Sequence, residues 1–283
     1  MNRMTLSAYA KLNLTLDILR KRPDGYHDVQ MVMQSVSLHD DVTVALTDGA
    51  EIACRCGDIP GDESNLAVKA ARAFFDAAGI APRGLDIEIV KRIPAQAGMA
   101  GGSTDGAAVL RALRALLAPE LTDAELQRIG ADVGSDVPYC VRGGTALAEG
   151  RGERLTFLPQ APCLYTLLCK PDFAISTPML FSRVRLDALS NRPDTAGMLA
   201  ALQAGDAAGV LARVRNVFED VLPESCGEVF AIKSRLLALG AEAAAMTGSG
   251  PTVFGLFRDE AAARAAYEAL SAEYRQTDLA QFV

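Results

Sequence analysis

The first half of the chain contains stretches in which apolar residues recur at every second position and others in which they recur at helical spacing. The period of two is typical of half-buried strands, and it predicts strands over 4–18, 28–38, 41–46, 85–90 and 144–149. Three helices are predicted in the same half. One is capped by Ser64 and ends at Gly79, one follows a glycine-rich stretch, and one begins with a capping box of Thr122 and Glu125.

The second half mixes helical and strand patterns in a different order. A strand is predicted at 164–168, and a strand, tight turn and strand surround 248–251. Helical spacing predicts helices over about 195–221, 227–239 and 259–273. This mixture favours an α+β protein over a doubly wound one. The change of pattern near residues 155–165 predicts two domains, 1–160 and 161–283.

Composition narrows the classes of protein. The chain has 283 residues, half of them apolar, and a formal net charge of −7. The negative charge argues against a nucleic acid or an anionic membrane as partner. Charged residues interrupt every apolar run before the roughly 18 residues of a membrane-spanning helix, and no signal-peptide pattern is present, so we expect a cytoplasmic protein. An anionic substrate would need a local basic patch, which Lys11, Arg20, Lys21 and Arg22 can supply.

The cysteines give no sign of a metal site. Six cysteines and two histidines are present, and no second cysteine or histidine pair stands at zinc spacing from Cys54 and Cys56. Free thiols are therefore expected.

The segment PAQAGMAGGST at residues 94–104 carries the clearest chemical signal. It places Gly98, Gly101 and Gly102 between a predicted strand and a predicted helix. Glycines can adopt positive φ and approach a ligand closely, while the free N–H groups of a helix start attract an anion. The segment therefore predicts a phosphate site, with an ordinary glycine-rich turn as the alternative.

The residues after the glycines extend this prediction. Ser103 and Thr104 can cap the helix or ligate a phosphate-bound metal, and Asp105 suits the positive end of the helix dipole. Ser103 is the one side chain that we name as a candidate metal ligand. A P-loop is disfavoured because no lysine separates Gly102 from Ser103, and the dinucleotide pattern G-x-G-x-x-G is missing.

The same segment resembles the glycine-rich motif of the GHMP kinases, the family of galactokinase, homoserine kinase and mevalonate kinase. Five further stretches resemble, in the same order, a branch whose substrate is a cytidine diphosphate derivative: AYAKLN at 8–13, RPDGYHDV at 22–29, SVSLHDDV at 35–42, GADVGSDVPYCVRGGTALAEG at 130–150 and MTGSGP at 246–251. The resemblance implies a two-domain α+β fold, with a βαβ-containing N-terminal ATP-binding domain and a ferredoxin-like C-terminal substrate domain.

The resemblance also assigns a nucleotide site. It implies that ATP, together with Mg²⁺, is bound by Asn65 and the glycine-rich segment, namely Pro94, Ala95, Gln96, Ala97, Gly98, Met99, Ala100, Gly101, Gly102, Ser103 and Thr104. A helix-start cap is the alternative for Asn65. Two positions depart from the usual motif. Thr104 keeps the hydroxyl of the usual serine, and Gly106 replaces the usual alanine.

Two charged residues are implied to be catalytic. Asp136, in the turn GSDVP, resembles the family's base for the acceptor hydroxyl, with a turn-capping aspartate as the alternative. Asp132 competes for this role but fits the end of the preceding helix. Lys11 lies in an apolar strand and can neutralise the transferring group, with a solvated outward lysine as the alternative.

The remaining residues are implied to bind the cytidine substrate. Asn13 shares a strand face with Lys11, so it points into the same site. Tyr26 and His27 can stack on a base and hydrogen-bond its edge, although exposed turn aromatics are also common. Phe181 is the candidate for the second face of the stack. Gly248 either closes over the diphosphate or makes a hairpin.

The sequence thus predicts an ATP-dependent kinase for a small cytidine diphosphate substrate in the non-mevalonate isoprenoid pathway. One alternative is another GHMP kinase, acting on homoserine or mevalonate, although DGYH-like residues favour the cytidine branch. A second alternative is a non-catalytic binding protein of the same fold, which would be expected to lack Lys11, Asp136 or the glycine-rich segment. The sequence leaves the oligomeric state open.

Overall fold

A computed structural model describes residues 2–283, and these residues pack as two compact units. The first unit contains the residues up to Ala10 together with 39–95 and 100–143, and the second contains 11–38, 96–99 and 144–283. Two long strands, β1 (Arg3–Lys21) and β2 (His27–Thr47), run from one unit into the other. The division after residue 160 stays a prediction.

The first unit contains a βαβ element, as expected. Its remaining elements are β3 (Ile52–Arg55), α1 (Leu66–Ala78), β4 (Gly84–Val90), α2 (Gly101–Leu117), α3 (Asp123–Val133) and α4 (Val137–Arg142). Strands β3 and β4 are parallel neighbours connected through α1, and the sheet order is β3-β4-β2-β1. Strand β4 is antiparallel to β2, with Val42 opposite Ile89 and Val44 opposite Ile87. These four side chains are buried, which explains the period-two pattern of both strands.

The helix starts of the first unit follow the predicted capping, with one shift. Thr122 and Glu125 form the predicted capping box of α3. The predicted cap at Ser64 is wrong by one residue, because Asn65 Oδ1 accepts from the Ala67 N–H at 2.9 Å and starts α1. The Ser64 hydroxyl instead donates to Asp62. Both residue types cap helices well, so local sequence could not choose between them.

The second unit contains a ferredoxin-like sheet. Its remaining elements are β5 (Thr145–Gly150), β6 (Arg154–Phe157), β7 (Tyr165–Lys170), α5 (Thr177–Arg183), α6 (Thr195–Ala204), α7 (Ala207–Ala212), β8 (Arg215–Asn216), α8 (Glu228–Ala238), β9 (Ala243–Met246), β10 (Val253–Phe257), α9 (Glu260–Ser271) and β11 (Gln276–Gln281), with 3₁₀ helices at Val217–Val221 and Glu224–Cys226. The antiparallel order β11-β7-β10-β9, with α8 and α9 as the connections, is the βαββαβ topology. This confirms the expected C-terminal fold. Strand β5 pairs with β2 and β6, and β8 pairs in parallel with β1.

The single helix predicted over 195–221 is wrong. Gly205 adopts a left-handed conformation with φ 65° and ends α6, and the chain then forms α7, β8 and a 3₁₀ helix. Val210, Val214 and Val217 are all buried. Their spacing therefore imitates one helical stripe, although Val210 belongs to α7, Val214 to the connection after it and Val217 to the 3₁₀ helix.

The described residues contain no helix long and apolar enough to cross a membrane. All six cysteines are free thiols, and Cys163 alone among them is exposed.

Candidate active site

The glycine-rich segment adopts a left-handed conformation at alternate residues. Gln96, Gly98 and Ala100 have φ of 51°, 73° and 60°, whereas Ala97 and Met99 between them are buried. The expectation of positive φ at Gly101 and Gly102 is wrong, because these two glycines begin helix α2. Left-handed backbone costs a residue with a Cβ roughly 1–2 kcal/mol, so surrounding contacts must hold Gln96 and Ala100 in place.

The start of α2 keeps its first amides free of side-chain caps. Ala100 occupies the N-cap position, where its side chain cannot cap the helix. Capping by Ser103 or Thr104, one of the two roles considered, is not what the structure shows. Thr104 Oγ1 donates to the Tyr9 carbonyl at 2.9 Å, and Ser103 lies half-buried inside the first turn. The first N–H groups of a helix have no intrahelical acceptor, so this turn suits an anion such as a phosphate.

The glycines of the segment differ in the space around them. A Cβ on Gly98 would lie 2.4 Å from the Thr247 carbonyl oxygen. A Cβ on Gly101 would lie 3.1 Å from Ile93 Cγ2, whereas one on Gly102 would lie at an ordinary 3.5 Å from Leu66. Gly98 is therefore required by both φ and space, whereas a Cβ on Gly101 would make a tight contact that a small shift of the Ile93 side chain relieves.

A buried ionic cluster fixes both ends of this segment. Lys91 Nζ donates to Asp40 Oδ2 at 2.5 Å and to Asp105 Oδ2 at 2.7 Å. Asp40 Oδ1 accepts from the backbone N–H groups of Arg92 and Ile93, where the chain leaves β4 for the segment. Asp105 belongs to α2, so the cluster ties the entrance of the segment to the helix that follows it.

Asp105 is not the first-turn residue expected from the helix dipole. It is the fifth residue of α2 and is buried. Burial raises the pKa of Asp105 to about 7, with Asp40 adding to the shift and Lys91 opposing it. The Lys91 pKa is also raised: burial lowers it, and the attraction of Asp105 and Asp40 outweighs that effect.

Lys11 and Asn13 lie together on β1, as their spacing predicted. Lys11 is buried, so the alternative of a solvated outward lysine is wrong, and its Nζ donates to Asn13 Oδ1 at 2.7 Å. The backbone N–H of Lys11 donates to the Met99 carbonyl at 3.2 Å. The backbone N–H of Asn13 donates to Thr247 Oγ1 at 3.1 Å. Strand β1 is thus bonded to residue 99 of the glycine-rich segment and to the turn after β9.

The turn at residues 247–250 packs directly on the glycine-rich segment. Gly248 has φ 55°, and a Cβ there would lie 2.8 Å from the Gly98 carbonyl oxygen. The turn is the predicted connection between two strands, β9 and β10. The contact with Gly98 is a further role that its sequence did not reveal.

An aromatic cluster contains two of the predicted substrate residues. The rings of His27 and Phe181 are stacked with centroids 5.0 Å apart, and Phe218 packs edge-on against Phe181 at 4.9 Å. Tyr26 is 57% exposed, and the Arg151 guanidinium lies 4.5 Å above its ring. Burial, with a smaller contribution from Lys21, lowers the pKa of His27, which favours the neutral imidazole with one donor and one acceptor nitrogen.

Asp136 occupies the N-cap position of α4 but does not cap it. Its backbone is helical with φ −89°, its side chain makes no capping hydrogen bond, and Pro138 lies in the first turn. The side chain is half-buried, whereas Asp132 is exposed within α3. Asp136 therefore does not cap α4, and both its catalytic role and the turn-capping alternative stay predictions.

Two further interpretations change. Asn65 has the alternative role of a helix cap, since Oδ1 accepts from Ala67 and Nδ2 donates to the Pro60 carbonyl at 2.8 Å. Its contact with ATP stays a prediction.

Arg20 and Arg22 both pair with Asp28, which lowers the pKa of that carboxyl, and much of the expected basic patch is therefore neutralised.

Sequence reasoning missed the groups that hold the site together. Asp40 lies between the predicted strands 28–38 and 41–46, and Lys91 follows the predicted strand 85–90, so each has the sequence position of an ordinary charge at a strand end. Thr247 is one of many threonines. Only Asp105 carried a signal, as an acidic residue beside the glycines, and that signal was assigned to the helix dipole. Contacts between residues far apart in sequence leave no periodic pattern.

Comparison with known proteins agrees with this geometry. Two family models match the chain, the GHMP kinases N-terminal domain over residues 65–144 and the GHMP kinases C-terminal domain over residues 198–276. The chain belongs to the GHMP kinase family.

Its relatives narrow the match to one branch. A 4-diphosphocytidyl-2-C-methyl-D-erythritol kinase from Acetivibrio thermocellus is 42% identical over 271 residues, covering 95% of each chain. A protein of the same name from Brevibacillus brevis is 45% identical over 271 residues, covering 95% of this chain and 92% of the relative. The crystal structure of a 4-(cytidine 5'-diphospho)-2C-methyl-D-erythritol kinase gives a TM-score of 0.85 at 33% identity, covering 99% of both chains. A homoserine kinase from Cytophaga hutchinsonii, with a TM-score of 0.76 at 18% identity, shares the fold alone.

The packing of Gly98 against the 247–250 turn predicts the cost of adding a methyl group there. Gly98→Ala should destabilise the protein by at least about 2 kcal/mol, because it combines left-handed strain with a clash against backbone. Gly102→Ala is the matched control, since its helical backbone and open surroundings accept a Cβ. Urea denaturation of both variants measures the difference, and equal stability of the two would contradict the assignment.

The raised pKa of Asp105 predicts a pH dependence of stability. Between about pH 4 and 7 the folded protein retains a proton that the unfolded chain has released, so stability falls as pH rises through this window. Asp105→Asn should flatten this fall by an amount on the order of 1–4 kcal/mol. Free energies of unfolding at pH 5 and 7.5 test it, with Asp132→Asn on the exposed face of α3 as the control. A slope unchanged from wild type in Asp105→Asn would refute the buried-proton interpretation.

Proposed function

We propose that this protein transfers the γ-phosphoryl group of ATP to the 2-hydroxyl group of 4-diphosphocytidyl-2-C-methyl-D-erythritol, a step of the non-mevalonate isoprenoid pathway. The observation that carries the proposal is the hydrogen bond that the backbone N–H of Lys11 donates to the Met99 carbonyl. It fixes a buried lysine beside the segment that leads into the uncapped start of α2. Phosphoryl transfer requires a positive group for the transferring phosphoryl and donors for the phosphate oxygens. The sequence identity of 42–45% with kinases of the cytidine branch, which extends over 95% of this chain, supports the choice of substrate.

In this proposal the glycine-rich segment binds the phosphates of ATP. The free N–H groups at the start of α2 donate to phosphate oxygens, and Gly98 allows the backbone to turn without a side chain in the way. The residues proposed to line the nucleotide are those implied by the family resemblance, from Pro94 to Thr104 together with Asn65.

Mg²⁺ is proposed to enter with ATP. The chain offers no cluster of three histidine, cysteine or acidic residues between residues 2 and 283 that could hold a metal alone. The Ser103 hydroxyl, in the first turn of α2, fits a metal that is bound mainly by phosphates and water. Such an ion would neutralise charge on the phosphates. Asp105 is engaged with Lys91 and does not serve this purpose.

The acceptor hydroxyl is proposed to lose its proton to Asp136. The hydroxyl oxygen forms a bond to the γ-phosphorus, the bond from that phosphorus to the β–γ bridging oxygen breaks, and ADP leaves. Lys11 neutralises charge on the transferring group. The hydrogen bond from Lys11 to Asn13 restricts the rotamers of the lysine side chain, so less entropy is lost when its ammonium group reaches the reactive geometry.

His27, Tyr26 and Phe181 are proposed to recognise cytosine. A neutral imidazole can offer a donor and an acceptor to the edge of a base, and the neighbouring rings offer stacking surface. Gly248 and Asn13 are proposed to contact the rest of the substrate. A cytoplasmic location and the absence of a nucleic-acid partner stay predictions.

The catalytic assignment predicts a loss of turnover without a loss of nucleotide binding. Asp136→Asn should lower kcat by about 10²–10⁴-fold, the range for a positioned acid or base, while ATP affinity stays close to wild type. Lys11→Ala should also lower kcat, and Lys11→Arg should restore little because a guanidinium differs in shape and reach. Coupled ADP-release assays measure turnover, and calorimetry measures ATP binding. Asp132→Asn is the matched control, and full turnover in Asp136→Asn would remove that residue from the mechanism.

The substrate assignment predicts competition by free cytidine nucleotides. CDP or CMP should compete with the substrate, and Tyr26→Ala should cost roughly 1–3 kcal/mol of that affinity, the scale for one base stacked on an aromatic ring. His27→Ala should weaken discrimination against uridine analogues, because it leaves base edges unpaired. Homoserine and mevalonate should not be phosphorylated, since neither carries the base that supplies remote binding energy. Turnover of either, with no effect of CDP, would place the protein in another branch of the family.

A further inference from the structure

Asn216 uses all of its side-chain hydrogen-bonding groups on two neighbouring segments. Its Nδ2 donates to the Met246 carbonyl at 2.7 Å and to the Gly248 carbonyl at 2.8 Å, and its Oδ1 accepts from the Phe218 N–H at 3.0 Å. The residue is completely buried. An exchange of the amide oxygen and nitrogen would set an oxygen against two carbonyls, so the orientation is fixed by its partners. The side chain thus bridges the end of β9 to the 3₁₀ helix that follows β8.

The turn that Asn216 holds also contacts Asn13. Thr247 lies between the two carbonyls that Asn216 binds, and its hydroxyl accepts from the Asn13 N–H at 3.1 Å. Asn13 Oδ1 in turn accepts from Lys11 Nζ. A displacement of the turn would therefore move the hydroxyl that fixes the Asn13 backbone, and with it the acceptor that orients the Lys11 ammonium group.

The other end of Asn216 reaches the aromatic cluster. Phe218, whose N–H is bound by Asn216, packs edge-on against Phe181, and Phe181 stacks on His27. One side chain thus connects the turn beside Gly98 with the rings proposed to recognise the base. A second side chain holds the strand end before this turn, since Glu219 Oε1 accepts from the Met246 N–H at 2.8 Å while Oε2 accepts from Lys233 Nζ.

We propose that Asn216 is a positioning residue for phosphoryl transfer, which holds the 247–250 turn so that Thr247 fixes Asn13 and, through it, Lys11. This role rests on the proposed function for the identity of the reaction. Neither Asn216 nor Thr247 needs to touch the transferred group for the effect to occur.

Asn216→Asp tests the role with almost no change of shape. The carboxylate replaces a donor with an acceptor facing two carbonyls, so the turn should shift. We expect kcat to fall by about 10–10²-fold, the scale of a small misplacement of reacting groups. The KM for ATP should rise by a smaller factor, because the turn also packs on Gly98 of the glycine-rich segment. Thr166→Val is the control, since Thr166 is equally buried in β7 and its hydroxyl has no hydrogen-bond partner within the described residues.

A double-mutant cycle separates positioning from general loss of stability. Thr247→Val should lower kcat, whereas Thr247→Ser should keep it. Asn216→Asp combined with Thr247→Val should lose no more than the larger single loss, because both changes break one chain of contacts. The proposal would be overturned if the fold-losses in kcat of the two single variants multiplied in the double variant. Wild-type kcat in either Asn216→Asp or Thr247→Val would also overturn it. If Asn216→Asp does not fold, the two Thr247 variants decide the question alone.

Amide hydrogen exchange gives a readout that is independent of the substrate. Exchange of the N–H groups at 247–250 should be faster in Asn216→Asp than in wild type and in Thr166→Val. Inactive wild-type protein with faster exchange in Asn216→Asp would reject the proposed substrate but support Asn216 as the residue that holds the turn. Unchanged exchange would reject the role of Asn216, whatever the substrate.

Discussion

Two backbone segments approach each other so closely at Gly98 and Gly248 that neither has room for a β carbon. A methyl group on Gly98 would overlap the Thr247 carbonyl, and one on Gly248 would overlap the Gly98 carbonyl. Both glycines have positive φ, so the contact also fixes the direction in which each chain leaves the turn. Thr247 lies at this contact, and its hydroxyl is the acceptor for the backbone of Asn13. Asn13 also orients Lys11 through its side chain. The position of Asn13 therefore depends on glycine, and not a larger residue, at positions 98 and 248.

An ionic cluster holds the ends of the glycine-rich segment. Two buried acidic side chains, Asp40 and Asp105, share Lys91, and such clusters contribute little net stability because desolvation offsets the attraction. Their value here is geometric. Asp40 accepts from two successive backbone N–H groups at the entrance, and Lys91 carries that constraint to α2. A segment with non-glycine residues in left-handed conformations needs anchors of this kind, since its own backbone preferences do not maintain it.

The sequence predicted what depends on local periodicity and left out what depends on distant contacts. The strand pattern around β4, the capping box of α3 and the pairing of Lys11 with Asn13 follow from spacing alone. The prediction of one helix over residues 195–221 was wrong because buried apolar side chains from α7, the connection after it and a 3₁₀ helix kept a helical period. Gly205, where α6 ends, was by itself compatible with either interpretation. The expectation of positive φ at Gly101 and Gly102 was wrong because a glycine in a sequence can indicate either positive φ or close packing. Only the surrounding residues decide which of the two applies.

The acidic character of the chain fits a site that binds phosphates mainly through its backbone. Arg20 and Arg22, which precede Tyr26 and His27 in sequence, are paired with Asp28. Lys11 is buried, Lys91 is half-buried, and the ammonium groups of both are hydrogen-bonded. Backbone amides at a helix start are dipoles with fixed directions, so they recognise an oxyanion by geometry rather than by a diffuse field. Salt screens such short-range contacts less than it screens exposed charges. A protein with a net charge of −7 can therefore bind a polyphosphate without a basic surface, provided that the loop presenting those amides is held rigid by the contacts around Gly98 and Lys91.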